Sequence, residues 1–148
     1  MTNEESIQRD VQAAFIKFGR IDVLLNSAGV VTYGFTVSKE GVLDNKELWR
    51  VIMINVIGTI NVSKYVAKHW IGEKEQTERV IVNVASVAGI EASRGMVAYG
   101  LSKGAVIGAT LPMARDLGKF FKNINYFKIQ HQSCNSCAIY FYHSNGEP

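Results

Sequence analysis

Two short aliphatic runs, Ile21 to Leu25 and Val80 to Val84, dictate most of what this chain can become. Each is too short for a buried helix and lacks the in–out alternation of a half-exposed strand, so each reads as a strand covered on both faces. Helical patterns surround them. Thr2 followed by Glu5 forms a capping box, and Ile7, Val11, Ala14, Phe15 and Phe18 recur at helical spacing until Gly19 supplies a left-handed stop. A Gly-, Ser- and Thr-rich loop reaches about Leu43, where Asp44 can cap a second helix that runs to about Trp70. Gly72 and the charged stretch Glu73 to Arg79 read as a turn, and a third helix spans about Val97 to Leu117. The order α, β, α, β, α implies parallel strands joined by helical crossovers, the doubly wound α/β class.

Composition narrows the function classes. With 148 residues, 47% of them hydrophobic, and a formal net charge of +3, the chain suits one globular domain rather than a disordered one. No apolar run approaches the ~20 residues of a spanning helix, so no membrane role is expected. The basic excess forms no stripe, which argues against nucleic acid. The opening Met1-Thr2-Asn3-Glu4-Glu5-Ser6 shows no targeting segment, and two cysteines cannot form a disulfide framework; a soluble intracellular protein is expected.

Composition breaks near Lys119. Every glycine but Gly146 lies at or before Gly118, while nearly half the aromatics and both cysteines fall after it. Residues 1–119 therefore read as the folded domain. Residues 120–148 read as a divergent tail, either disordered or spurious, or an extension whose aromatics pack on the domain. The spacing His131-x2-Cys134-x2-Cys137-x5-His143 offers four zinc-type ligands. Isolated Cys-x-x-Cys pairs arise often by chance, so two reduced thiols are the favoured reading and no metal is assigned.

Ligands of doubly wound sheets lie at the carboxyl ends of the strands. Asn26, Ser27, Ala28 and Gly29 follow the first strand, and Ser86 follows the second. On the third helix, Tyr99 and Lys103 stand at i and i+4, on one face and one turn apart. A cation that near favours phenolate and equips a tyrosine to exchange a proton with an alcohol or carbonyl. Ser86 can hydrogen-bond the same oxygen. Asn55 interrupts the apolar run Ile52, Met53, Ile54, Val56, Ile57, and its amide can hold a water relaying protons to Lys103. The sum is a site for reversible alcohol oxidation, with hydride carried by a cofactor because no side chain can carry one. Taken singly, each residue has a plainer reading: a solvated Tyr–Lys pair, a capping serine, a satisfied core amide.

Residues 2–119 resemble the short-chain dehydrogenase/reductase family in four segments: Ile-Asp-Val-Leu-Leu-Asn-Ser-Ala-Gly, Ile-Asn-Val-Ile-Gly-Thr, Val-Ile-Val-Asn-Val-Ala-Ser-Val-Ala-Gly and Tyr-Gly-Leu-Ser-Lys. The resemblance implies a partial Rossmann-like, three-layer αβα fold. It also implies a catalytic tetrad of Asn55, Ser86, Tyr99 and Lys103, with Tyr99 as acid/base and Ser86 as carbonyl polariser. Lys103 would bond the nicotinamide ribose, Asn55 would anchor the relay water, and Asn26, Ser27, Ala28 and Gly29 would line the cofactor cleft. Ser86 and Tyr99 would touch a small-molecule substrate. The cofactor implied is NAD, with NADP not excluded. The loop bearing Thr32-Tyr33 and Ser38-Lys39 and the segment Gly108 to Leu117 resemble the branch acting on 3-hydroxyacyl-CoA thioesters or hydroxysteroids, and imply a mitochondrial location, otherwise a cytoplasmic one.

The family's Gly-x-x-x-Gly-x-Gly phosphate turn, its first strands and its adenosine-selecting acidic residue have no counterpart here. The resemblance therefore predicts an exposed apolar edge on the first strand and a chain with the reaction's residues but not the pyrophosphate site. Gly100, Gly104 and Gly108 are expected to permit close packing, against another subunit among other partners. Three functional readings follow: an alcohol dehydrogenase; an inert short paralogue, with association to another copy or to full-length homologues through the helices at 45–70 and 97–117; and, least favoured, a zinc-binding tail acting as an interaction module.

Overall fold

Apolar periodicity and caps place the elements almost where expected. The computed structural model describes residues 3–73, 78–121, 124–131 and 137–144, the last two ranges by their backbone alone. In chain order these are α1 (Glu4–Phe18), β1 (Val23–Asn26), a small hairpin of β2 (Val37–Ser38) and β3 (Gly41–Val42), and α2 (Asn45–Ile52). A π-helical turn (Met53–Ile57) joins α2 to α3 (Gly58–Ile71). Then come β4 (Arg79–Val84), a 3₁₀ turn (Val87–Gly89), α4 (Val97–Gly118), β5 (Ile124–His131) and β6 (Cys137–Ser144).

Caps explain the helix ends. Asp44 accepts from Lys46 N at 2.8 Å and opens α2 as anticipated. Gly19 closes α1 at φ 79°, donating to Phe15 O. The start of α1 differs from the capping box: Asn3 is the cap and accepts from Ser6 N at 3.0 Å, while Thr2 lies outside the described residues. An asparagine side chain with extended backbone satisfies the first orphan amides as well as a threonine does. Phe18 is 68% exposed, beyond the face that buries Ile7 and Phe15.

The sheet has order β1-β4-β5-β6, with β1, β4 and β5 parallel and β6 antiparallel to β5. β5 and β6 lie where no period was visible in the sequence. One face carries the core: Phe15, Val66, Ala67, Trp70, Ile81, Ala114 and Phe121 pack together, with Leu24 against them. The opposite face of β1 is bare, Val23 and Leu25 each being 58% exposed, and β1 is one of the sheet's two edge strands. The architecture is that of a partial Rossmann-like αβα fold, with the apolar edge foreseen from the sequence.

Two polar clusters lock the core. Parallel pairing sets Asn26 beside Asn83 on the helix-covered face. The Asn26 amide donates to Asn83 Oδ1 and Ser63 Oγ, both at 2.9 Å, and Asn83 Nδ2 donates to Thr110 Oγ1 at 3.2 Å. This ties β1, β4, α3 and α4 together, with Asn83, the one polar residue of the run Val80 to Val84, fully buried and hydrogen-bonded. At the other end of the strands, Arg79 belongs to β4 rather than to an exposed turn. It is 3% exposed, pairs with Asp22 and Glu73, donates to Ile21 O at 3.0 Å and lies over the Trp70 ring. Paired and hydrogen-bonded in this way, a guanidinium can enter a core.

Two of the three glycines expected to permit close packing, Gly100 and Gly104, do so within this chain, and Gly108 does not. A Cβ on Gly100 would stand 2.8 Å from Ala88 O, and one on Gly104 would stand 3.1 Å from Gly89 O. Around Gly108 there is open space. Alanine improves helix propensity by ~1 kcal/mol at an unobstructed site. Gly108→Ala is therefore expected to raise unfolding stability by about 0.5–1 kcal/mol. Gly100→Ala is expected to lower it by about 1–3 kcal/mol through overpacking, both read by urea denaturation.

Candidate active site

The carboxyl ends of β1 and β4 open into a cleft of about 610 Å³. Its lining includes Ser27, Gly29, Ser86, Tyr99 and Lys103. Thus the strand-end serine, the helical tyrosine and the helical lysine, far apart in sequence, face one space. Asn26 and Ala28 do not line it. Asn26 points into the core ladder, because the period of two that brings Ser27 to the cleft sends its neighbour the other way.

The loop after β4 positions Ser86. Its Oγ accepts from Ala88 N at 3.2 Å and caps the 3₁₀ turn. That turn sits directly on α4: a Cβ on Gly89 would be 2.7 Å from both Gly104 N and Lys103 C. Backbone contact of this kind fixes the distance from Ser86 to α4 without a spacer side chain.

Lys103 is 6% exposed and donates from Nζ to Val84 O at 2.7 Å. Burial lowers its pKa from the ordinary lysine value, since desolvation disfavours the ammonium. Its Nζ lies 5.8 Å from the centroid of the Tyr99 ring. Gly29 closes the floor: a Cβ there would lie 3.3 Å from Asn55 Oδ1 and 3.7 Å from Lys103 Nζ.

Asn55, 1% exposed, sits in the π-helical turn. Its Oδ1 accepts from Val30 N at 2.8 Å, and its Nδ2 donates to Val30 O at 2.8 Å and to Ser102 Oγ at 3.0 Å. Both amide protons are thus committed to protein, where the sequence reading gave them to a water. Sequence reasoning passed over Ser102, Val84 O and Gly89. Ser102 was legible as a hydroxyl within an otherwise small and apolar helix stretch, and Gly89 only from its close approach to α4.

Of the zinc-type ligands after residue 119, Cys134 and the side chains of His131, Cys137 and His143 lie outside the described residues. Among the described residues, no three His, Cys, Asp or Glu side chains gather as a metal site, and no helix is long and apolar enough to cross a membrane.

Geometry and descent agree. A model of the short chain dehydrogenase family matches residues 1–130, and the chain belongs to that family. It is 42% identical to 3-hydroxyacyl-CoA dehydrogenase type-2 of Bos taurus over 128 residues, covering 79% of this chain and 47% of that protein. It is 36% identical to 3-oxoacyl-[acyl-carrier-protein] reductase FabG of Thermotoga maritima over 118 residues, 79% of this chain and 45% of that protein. Among solved structures, a short-chain dehydrogenase/reductase from Serratia marcescens superimposes with TM-score 0.74 at 30% identity, covering 87% of this chain and 49% of that one. ElxO with NADP bound superimposes with TM-score 0.71 at 32% identity, covering 83% and 46%. The chain spans about half the length of the curated relatives it matches.

A nicotinamide group fits the residues present. Gly29 offers bare backbone where a side chain would fill the floor, and Lys103 and Tyr99 present donors to the same space. For the pyrophosphate, these 148 residues contain no Gly-x-x-x-Gly-x-Gly turn.

Lys103 generates a pH signature. Its folded-state pKa lies below 10.5, so the unfolded chain holds the proton over a pH range in which the folded chain releases it. Stability of the wild type relative to Lys103→Met is therefore flat below the depressed pKa. It rises with pH up to 10.5, as read by urea denaturation across that range.

Proposed function

We propose that this chain carries the proton-transfer site of a nicotinamide-dependent oxidoreductase interconverting a secondary alcohol and a ketone. The substrate class is a 3-hydroxyacyl-CoA thioester, with a hydroxysteroid as the competing class, and the cofactor is NAD. The supporting observation is the convergence of Ser86, Tyr99 and Lys103 on one cleft floored by Gly29. The 3-hydroxyacyl-CoA relatives favour the substrate class. When bound, the nicotinamide supplies or accepts the hydride.

The chain's own residues handle the proton and the oxygen. Ser86 Oγ hydrogen-bonds the substrate oxygen and offsets charge that develops on it. Tyr99 gives a proton to that oxygen in reduction and takes it back in oxidation. The nearby Lys103 ammonium lowers the cost of the phenolate and would hold the ribose of a bound cofactor, while its bond to Val84 O keeps it in place. Asn55 acts through Val30 and Ser102, the groups its amide fixes.

Tyr99→Phe removes only the phenolic hydroxyl. It is expected to lower NAD-dependent turnover of a 3-hydroxyacyl-CoA by at least ~100-fold, with an unchanged circular dichroism spectrum and melting point. Retention of turnover refutes the reading.

A second reading rests on exposure. Trp49 on α2 is 63% exposed, and Val97 and Leu101 on α4 are 46% and 54% exposed. These are exposed apolar side chains on the two helices expected to associate with another copy or a longer homologue. Native mass distinguishes the cases: a monomer of 16.4 kDa with no companion removes this reading. A larger complex carrying activity indifferent to Tyr99→Phe favours it over the first.

A further inference from the structure

Ser102 is fully buried on α4, between Tyr99 and Lys103 in sequence, and its side chain points away from the cleft those two line. Its hydroxyl makes two bonds that belong to different elements. It accepts from Asn55 Nδ2, in the π-helical turn, at 3.0 Å. It donates to Tyr99 O, in the first turn of its own helix, at 2.7 Å. Beyond Asn55 the same amide grips both the N–H and the C=O of Val30, at 2.8 Å each. Val30 follows Gly29, the floor residue of the cleft.

A continuous path therefore runs from the backbone of Tyr99 through Ser102 Oγ and the Asn55 amide to the backbone of Val30. The intermediate groups are two buried side chains: Ser102 Oγ accepts one bond and donates one, and the Asn55 amide donates two and accepts one. The Ser102 proton goes to Tyr99 O, so the oxygen is left to accept from Asn55, and each bond polarises the next. We propose that Ser102 is a positioning residue that couples the floor loop at Gly29–Val30 to the first turn of α4, so that Tyr99 is held in fixed relation to the cleft floor. The coupling stands on hydrogen-bond geometry alone. Its consequence for turnover rests on the dehydrogenase reading.

The test is amide hydrogen exchange in the intact chain, comparing wild type, Ser102→Ala and Ser102→Thr. A merely local role, in which Ser102 caps a carbonyl of its own helix, leaves Val30 unaffected. Coupling predicts that Ser102→Ala accelerates exchange of the Val30 N–H by about fivefold to tenfold, the loss of roughly one hydrogen bond, while Ile81 N–H in the sheet core is unchanged. Ser102→Thr keeps the hydroxyl and restores protection. Unchanged Val30 exchange in Ser102→Ala overturns the proposal. If Ser102→Ala does not fold, wild-type exchange under increasing urea decides. Val30 and Lys103 amides opening in one step support the coupling, and separate opening steps refute it.

Activity separates this inference from the dehydrogenase reading. Lowered kcat at unchanged KM in Ser102→Ala, rescued by Ser102→Thr, accompanies the exchange effect if both hold. An exchange effect in a chain with no turnover preserves the coupling and sinks the enzyme. Full turnover with unaffected Val30 does the reverse.

Discussion

Contact between the 3₁₀ turn and α4, made by backbone rather than side chains, is what the cleft depends on. Gly89 and Gly104 face each other with no room for a Cβ on Gly89. Because that turn starts at Ser86 and that stretch of α4 contains Tyr99 and Lys103, one short-range contact sets the relation among all three. Lys103 adds a second clasp by reaching back to Val84 O at the end of the strand. Strand end, turn and helix are thus joined at close range, as proton transfer over hydrogen-bond distances demands.

Polar groups elsewhere are distributed along the strands with different purposes. At the amino end of β4, Arg79 answers Asp22 and Glu73 and lies on Trp70, whose own indole donates to Ile21 O at 2.7 Å. These contacts close the bottom of the core. Near the carboxyl ends of the strands, the Asn26–Asn83 pair fixes which residues of β1 and β4 lie side by side, since a slip by one residue would leave buried amides without partners. Beside the cleft, Asn55 and Ser102 form a separate polar pair at 3.0 Å.

Strand positions, the Asp44 cap and the Gly19 stop were legible because they rest on local rules: aliphatic runs, capping side chains and left-handed glycine. The site was legible for the same reason, since i, i+4 spacing puts Tyr99 and Lys103 on one face whatever surrounds them. What escaped depends on contacts across the chain. Whether Asn26 faces the cleft or the core turns on strand parity and on Asn83 waiting opposite. Arg79 reads as solvent-loving until Asp22 and Glu73 are placed beside it. β5 and β6 gain their definition from pairing with β4 and with each other, in a stretch whose side-chain pattern has no period.

The π-helical turn looked in sequence like the middle of an ordinary helix. There Gly58 N donates to Met53 O, a bond one residue wider than the α-helical one. An extra residue in one turn advances the phase of everything after it by about 100°. α2 can therefore show Trp49 to solvent while α3 turns Val66 and Trp70 into the core, and Asn55 stands at the seam. The helix is in effect a vernier. Its two halves obey separate periodicities, and their offset makes the number of residues between Asp44 and Trp70 a quantity that cannot drift by one without moving either the core or the amide that holds Val30.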